Sequence, residues 1–249
     1  MKYLRYLMFF LTLVVLTTAA CIVLAPLWIF GLAWTPGGYI GKFWANALLL
    51  SAGVKVKAFG MENIHPYKKY IFVSNHVSHF DILVLLATLP PYYRFLAKRE
   101  LFQIPIFGWA LYFAGHIPVD RAKRGDFQKI LDQTGNVLKK GISVHFFAES
   151  TRSPDGKIYP FKPGAILLAQ QTRVPIIPVG VRGTRDILPK GVLLPHPAQG
   201  IVSIGKPFMV SDDGSRMVEI LESTRKTVAA LSGQELGESH PKKTLQKSA

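Results

Sequence analysis

The chain reads as an α/β protein: a mixed, largely covered β-sheet flanked by helices, with a hydrophobic helical segment in front of it. Three observations predict this. Short runs rich in β-branched and aromatic residues alternate with longer apolar segments of helical character, the pattern of a sheet sandwiched between helices. The 249 residues, less a hydrophobic N-terminus, leave roughly 190 to 200, room for one well-packed domain. From Tyr6 through Gly41 no side chain is charged, and Leu7 to Ala25 alone is about as long as a bilayer's hydrocarbon core is thick.

The N-terminal element, residues 1–52, is expected to be a membrane anchor. Lys2 and Arg5 precede the apolar run and the domain after it is also basic, so the positive-inside bias places both flanks on the cytoplasmic side of an inner or cytoplasmic membrane. Both ends on one side imply a hairpin or re-entrant pair of helices. Pro26 and the cluster Thr35-Pro36-Gly37-Gly38 offer the breaks, and Phe43 to Leu50 offers a second apolar stretch for the interface. A single span with the domain on the far side is the alternative. A cleaved signal ending at Thr18-Ala19-Ala20-Cys21 is another, although apolar sequence continues well past Cys21.

The catalytic domain is expected over residues 53–232. Its strands are Val54 to Phe59, Tyr70 to Ser74, Ser143 to Phe147, Ile176 to Val181 and Ile201 to Ile204. Helices are expected over Phe80 to Thr88, Phe107 to Phe113, Asp126 to Lys140, Gly164 to Gln171 and Ser215 to Leu231. Val174-Pro175-Ile176-Ile177-Pro178-Val179 carries two prolines that would interrupt a ladder, which points to a sheet edge or an apolar wall. Residues 233–249, poor in apolar side chains, read as a disordered basic tail.

Thirty Lys and Arg against fifteen Asp and Glu give a net charge of +15, so an anionic partner is expected. The cations form neither an arginine-rich helix nor an aromatic-interleaved stripe, and no zinc-finger spacing is present, so nucleic acid is not expected. A phospholipid membrane surface fits better. Cys21 is the only cysteine, so no intramolecular disulfide can form.

Two polar islands follow apolar runs directly: Asn75-His76-Val77-Ser78-His79-Phe80-Asp81 after Tyr70 to Val73, and Phe147-Ala148-Glu149-Ser150-Thr151-Arg152-Ser153 after Val144 to Phe146. Both are expected at one edge of one sheet. A neutral imidazole can take a proton from an alcohol, and a carboxylate on its other nitrogen fixes the tautomer, which makes His76 and Asp81 candidates for those roles. On one continuous helix a spacing of five separates side chains by about 140°, so the two can meet only if His76 lies in the loop and Asp81 in the first turn. Ser78, three residues before Asp81, suits the N-cap of that helix. The same pattern also fits a carboxylate that merely satisfies backbone N–H groups beside a structural histidine. A third reading makes His76, His79 and Asp81 metal ligands, with His116 and His145 available but not grouped by their flanking sequence.

In Gly115-His116-Ile117-Pro118-Val119-Asp120-Arg121, a glycine permits close approach and an arginine offers a planar fork for phosphate; a strand with a solvated end explains it equally. Arg152 could clamp phosphate while Glu149 orients it or a glycerol hydroxyl, or the two could form a surface ion pair.

Taken in order, NHVSHFD, GHIPVDR, FAESTRS and VPIIPV, with KRELFQIPIFGW from Lys98 to Trp109 before the second block, resemble the conserved blocks of the 1-acylglycerol-3-phosphate acyltransferase (lysophosphatidic acid acyltransferase) family of glycerolipid acyltransferases. The resemblance implies transfer of a fatty acyl group from acyl-CoA or acyl carrier protein to the sn-2 hydroxyl of 1-acyl-sn-glycerol 3-phosphate, giving phosphatidic acid at a membrane. It implies His76 as general base, Asp81 as its orienting carboxylate, and Asn75, Ser78, Lys98, Gly115, Arg121, Glu149, Ser150, Thr151 and Arg152 as substrate-binding residues. It implies no metal and no cofactor beyond the thioester co-substrate. Ser150 stands where the family carries glycine, so another acceptor is an open alternative: a different lysophospholipid, a lyso-ornithine lipid or glycerol 3-phosphate. A lipid-binding module without turnover is the non-enzyme alternative.

Overall fold

The computed structural model describes residues 2–120, 127–211 and 216–239. Two N-terminal helices, α1 (Lys2–Ile29) and α2 (Trp34–Ala52), are joined by a turn over residues 30–33. The expected breaks are not where the chain reverses: Pro26 lies inside α1, and Thr35-Pro36-Gly37-Gly38 forms the start of α2. Pro26 forfeits one bond, to the carbonyl of the exposed Ile22, and Pro36 occupies a first turn whose N–H groups have no helical acceptor. The reversal falls instead at Gly31, whose φ of 71° closes α1 through bonds from Gly31 N to Trp28 O and from Leu32 N to Leu27 O. The segment Tyr3–Ile29 is long and apolar enough to cross a membrane. It also lies along the domain: Phe9 stacks on Phe80 at 5.9 Å, and Trp28 packs on Tyr112 at 5.0 Å.

Seven strands form one sheet in the order β1-β7-β6-β2-β5-β3-β4, with β1 (Lys55–Phe59), β2 (Ile71–Ser74), β3 (Tyr93–Lys98), β4 (Ile117–Val119), β5 (Ser143–Phe147), β6 (Ile176–Arg182) and β7 (Gln199–Ile204). Every pairing is parallel except β6 with β7, so the sheet is mixed, as expected. The helices between and after the strands are α3 (Phe80–Thr88), α4 (Phe107–Phe113), α5 (Phe127–Lys139), α6 (Gly164–Thr172), α7 (Thr184–Ile187) and α8 (Met217–Ser232). The expected helix starts at Asp126 and Ser215 lie outside the described residues. Strand alternation divides the interior into two cores: Phe72 and Ile177 join α2 and α3 on one face, while Ile71, Val73 and Ile176 join α5, α6 and α8 on the other.

Two expectations need correction, and one strand, β3, was not expected. The proline-bearing β6 is an interior strand, between β2 and β7. Pro178 is tolerated because its carbonyl, and therefore its nitrogen, faces Gly205, one residue past the end of the β7 ladder that starts at Val179↔Ile204; no ladder N–H is required there. Residues 233–239 are not a free tail: Ile158 bridges Leu236, Ile158 N donates to Glu235 O at 2.8 Å, and Gly237 N donates to Ile158 O at 2.9 Å. Their backbone supplies what their few apolar side chains do not. Finally, β3 carries a buried arginine. Arg94 is 1% exposed and donates to the carbonyls of Tyr93 and Trp34, which is why a charged residue interrupts the apolar pattern of a true strand.

Candidate active site

The carboxyl ends of the parallel neighbours β2 and β5, paired through Ser74↔Phe147, bring both polar islands to one sheet edge. Such an edge is where parallel α/β sheets place ligands. Asn75 begins the first loop, but it is fully buried and cross-links the sheet: its amide donates to Val181 O and Gln234 Oε1, each at 2.7 Å, and accepts from Val181 N at 2.8 Å. That engagement leaves it nothing to offer a substrate.

One residue on, His76 Nδ1 lies 2.7 Å from Asp81 Oδ2. Asp81 is fully buried at the start of α3, and the same oxygen accepts from Val77 N at 2.7 Å and Ser78 N at 2.9 Å. The two readings of this carboxylate therefore hold together: it closes the helix start and it holds the imidazole. Ser78 Oγ accepts from Phe80 N at 3.1 Å and donates to Leu188 O at 2.8 Å, so Ser78 is buried with its hydroxyl engaged at the helix start. Asp81 Oδ1 accepts from the hydroxyl of Thr184, a fully buried residue at the first turn of α7. An ionised Asp81 requires the proton on Nδ1, which leaves Nε2 as the acceptor nitrogen of His76. The ring lies flat on Phe147, centroids 3.9 Å apart.

Glu149 does not line the cavity that His76 borders. It is 1% exposed and accepts from His76 N at 3.3 Å and Tyr159 N at 2.9 Å, tying the second polar loop to the first. Burial pushes its carboxyl up to about 7, opposed by those two N–H groups. Ser150 adopts φ 62°, the left-handed conformation that glycine takes most readily. Gly115, φ 78°, does not line the cavity; a Cβ there would stand 3.2 Å from Arg94 Nε, so the glycine makes room for the buried arginine. Arg121 lies outside the described residues.

His76 lines a cavity of 360 Å³. Its walls are apolar, built by Leu24 of α1, Ile40 and Trp44 of α2, Leu86 of α3 and Leu111 of α4. The same lining carries the cations Lys98, Arg152 and Lys190 with Thr151 and His79, and of these Arg152 and His79 lie close enough to the His76–Asp81 pair to feel its charge. Lys98 and Lys190 are exposed, and Lys98 meets Glu100 at 2.8 Å in a solvent-facing pair that is easily exchanged for another anion. Burial lowers the proton affinity of Arg152, which the Asp81 carboxylate partly restores. Desolvation within the cleft, then positive Arg152, favour the neutral ring of His79. Among the described residues no three His, Cys, Asp or Glu side chains are grouped to hold a metal ion. Thr184, Phe147 and Lys190 escaped sequence reasoning; Thr184 lies 103 positions from its partner Asp81, and no local spacing signals it.

The Acyltransferase family profile matches residues 55–182, half of the chain. The chain is 37% identical over 168 residues to a chloroplastic 1-acyl-sn-glycerol-3-phosphate acyltransferase of Brassica napus, an overlap covering 67% of this chain and 46% of that protein. It is 33% identical over 170 residues to the alpha 1-acyl-sn-glycerol-3-phosphate acyltransferase of Homo sapiens, covering 63% and 60% respectively. The chain thus spans about half the length of the curated relatives it matches. The crystal structure of the 1-acyl-sn-glycerophosphate (LPA) acyltransferase PlsC from Thermotoga maritima superposes with a TM-score of 0.69 at 26% identity, over 93% of this chain and 98% of that one. By its motifs, its sheet and this match, the chain belongs to the Acyltransferase family.

Proposed function

We propose that the protein is a membrane-bound O-acyltransferase that moves a fatty acyl group from a thioester, acyl-CoA or acyl carrier protein, to the sn-2 hydroxyl of 1-acyl-sn-glycerol 3-phosphate, forming phosphatidic acid. The observation that carries this reading is that the His76–Asp81 pair opens on a cavity with largely apolar walls and with the cations Lys98, Arg152 and Lys190 in its lining. An acyl chain matches the walls and a glycerol phosphate the cations. In this reaction Nε2 of His76 takes the proton of the acceptor hydroxyl as that oxygen attacks the thioester carbonyl. The tetrahedral adduct collapses with loss of the thiolate, which recovers the proton from the imidazolium. One ester and one thiol result, with no acyl-enzyme and no cofactor. Asp81 holds the Nδ1 proton and stabilises the imidazolium. Arg152, with Lys98 and Thr151, binds the phosphate.

The outward face of α1, with Leu7, Leu11, Val14 and Ile22 at least half exposed, and Trp109 of α4 supply the surface that attaches the domain to lipid. The catalytic domain faces the cytoplasm, where acyl thioesters are held. The acceptor head group is a second question raised by Ser150, since a side chain replaces the family glycine beside the phosphate-binding residues.

The test is acyl transfer by protein in membranes, wild type beside His76→Ala and Asp81→Asn, with oleoyl-CoA and a panel of lyso-lipids. Loss of turnover in both variants, with folding intact, and phosphatidic acid from wild type are expected; Arg152→Ala should chiefly raise KM for the phosphorylated acceptor. Product from another lyso-lipid alone would reassign the acceptor. Substantial turnover by His76→Ala would remove the general-base role, and lipid binding without turnover by wild type would favour the lipid-binding module.

A further inference from the structure

We infer that the loop from Pro189 to Pro195 is a second lipid-contacting element, a lip beside the cavity mouth that seats its apolar tip in the surface of an anionic bilayer. Leu193 is 83% exposed, and Val192 and Leu194 are exposed beside it, an apolar tip left uncovered among the described residues. The loop is nonetheless built. Its base is closed by His196 N to Ile187 O at 2.7 Å, a turn forms through Val192 N to Pro189 O at 3.2 Å, and Ser78 Oγ holds Leu188 O. The hydrogen bond from Ser78 fastens the loop to the segment that carries His76. Lys190, two residues before the apolar tip begins, lines the cavity.

The occupant is identified by charge and by continuity. Residues 187–211 contain no Asp or Glu, and neither do residues 1–61. The two stretches meet beside the loop: Pro197 stands 3.4 Å and the side chain of Arg5 3.7 Å from where a Cβ on Gly53 would lie. Around Arg5, the first turns of α1 expose Tyr3, Leu4 and Leu7, and exposed Lys55 and Lys57 follow on β1. An apolar tip on a loop that carries Lys190, with Asp186 the nearest acid along the chain and the acid-free N-terminal stretch close to its return, suits anionic headgroups over an acyl layer. A second copy of the chain would set like-charged surfaces together, with +15 on each. The inference rests on the membrane reading above and deepens it: the lip would hold the mouth against the leaflet from which the lyso-lipid enters.

The test places an environment-sensitive fluorophore on Leu193→Cys, in a Cys21→Ser background, in the full-length protein reconstituted into vesicles of phosphatidylcholine with or without phosphatidylglycerol. Tyr67→Cys is the reference, 92% exposed and just before β2, at the opposite edge of the sheet. Expected are a blue shift and quenching by spin-labelled lipid at position 193, stronger with phosphatidylglycerol, with position 67 aqueous throughout. Equal aqueous signals at both positions would overturn the inference. So would shielding of position 193 in detergent that grows with protein concentration, which would assign the tip to a second copy. A Leu193→Ser variant adds a functional readout: turnover should fall about tenfold on acceptor embedded in vesicles and stay unchanged on acceptor dispersed in detergent. Equal effects on the two dispersions would also refute the lip. If wild type shows no acyl transfer at all, the enzymatic reading fails while the fluorophore result still decides the membrane contact.

Discussion

Thr184 offers a sharp test of how the His76–Asp81 pair is held. Asp81 Oδ2 already serves three donors, His76 Nδ1, Val77 N and Ser78 N, whereas the Thr184 hydroxyl is the side chain that engages Oδ1. Thr184→Val keeps the shape and removes the donor. A hydrogen bond to a charged group contributes about 1.5–3 kcal/mol, and about 1.4 kcal/mol corresponds to tenfold in rate, so kcat should fall roughly 10- to 100-fold if the bond matters mainly once the imidazolium forms. KM should change little, because Thr184 does not line the cavity. Thr184→Ser restores the donor and should recover activity to within about threefold of wild type. Steady-state kinetics with a fixed thioester and varied lyso-lipid measure both constants. A Thr184→Val enzyme with nearly unchanged kcat, or a loss expressed wholly in KM, would show that Asp81 is oriented by the helix start alone.

Three further outcomes follow from the geometry. A left-handed residue with a side chain costs about 1–2 kcal/mol and glycine gives back up to about 1 through the unfolded chain, so Ser150→Gly should change stability by between 0 and about +2 kcal/mol; a loss above 1 kcal/mol in thermal unfolding would mean that contacts of the serine outweigh the strain. A Cβ on Gly41 would meet only Leu86 Cδ2, at 3.6 Å, so the side chain of Gly41→Leu should project into the cavity; turnover of long acyl donors should fall at least about tenfold relative to short ones, and an unchanged chain-length profile would move the acyl chain elsewhere. Glu149 holds its proton more tightly folded, at about 7, than unfolded, near 4.5, so the stability it contributes is complete below 4.5 and is lost as pH rises toward 7, by up to about 3 kcal/mol. Buried His116 and His145, pushed down to about 3 by desolvation, act with the opposite sign below pH 6.5, so the difference between wild type and Glu149→Gln isolates the carboxyl; parallel stability curves from pH 5 to 7.5 would contradict its burial as an ionisable group.

What could be read from the sequence, and what could not, divides by how far each interaction reaches along the chain. His76 and Asp81 lie five apart, and their meeting follows from a loop-to-helix junction that Ser78 announces. The strands that carry the two polar islands were legible because β2 and β5 are short runs dominated by β-branched and aromatic residues. By contrast β3 was hidden by Arg94, whose burial depends on two carbonyls, one of them 60 residues away at Trp34. The interior place of β6 was hidden by Pro178, harmless only because a neighbouring ladder ends one residue earlier. Glu149, Asn75 and Ser78 look in sequence like groups that meet a substrate, yet each is buried with its polar atoms on backbone or on Gln234. Polarity beside a catalytic residue has two physical uses, reaching a ligand and holding a loop, and only burial separates them. In this site the residues that hold come from two distant stretches, Val181 to Leu188 and Gln234, and converge on the seven residues Asn75 to Asp81. The chemistry is therefore local in sequence while its rigidity is not, and substitutions at those remote positions should change kcat without touching either substrate.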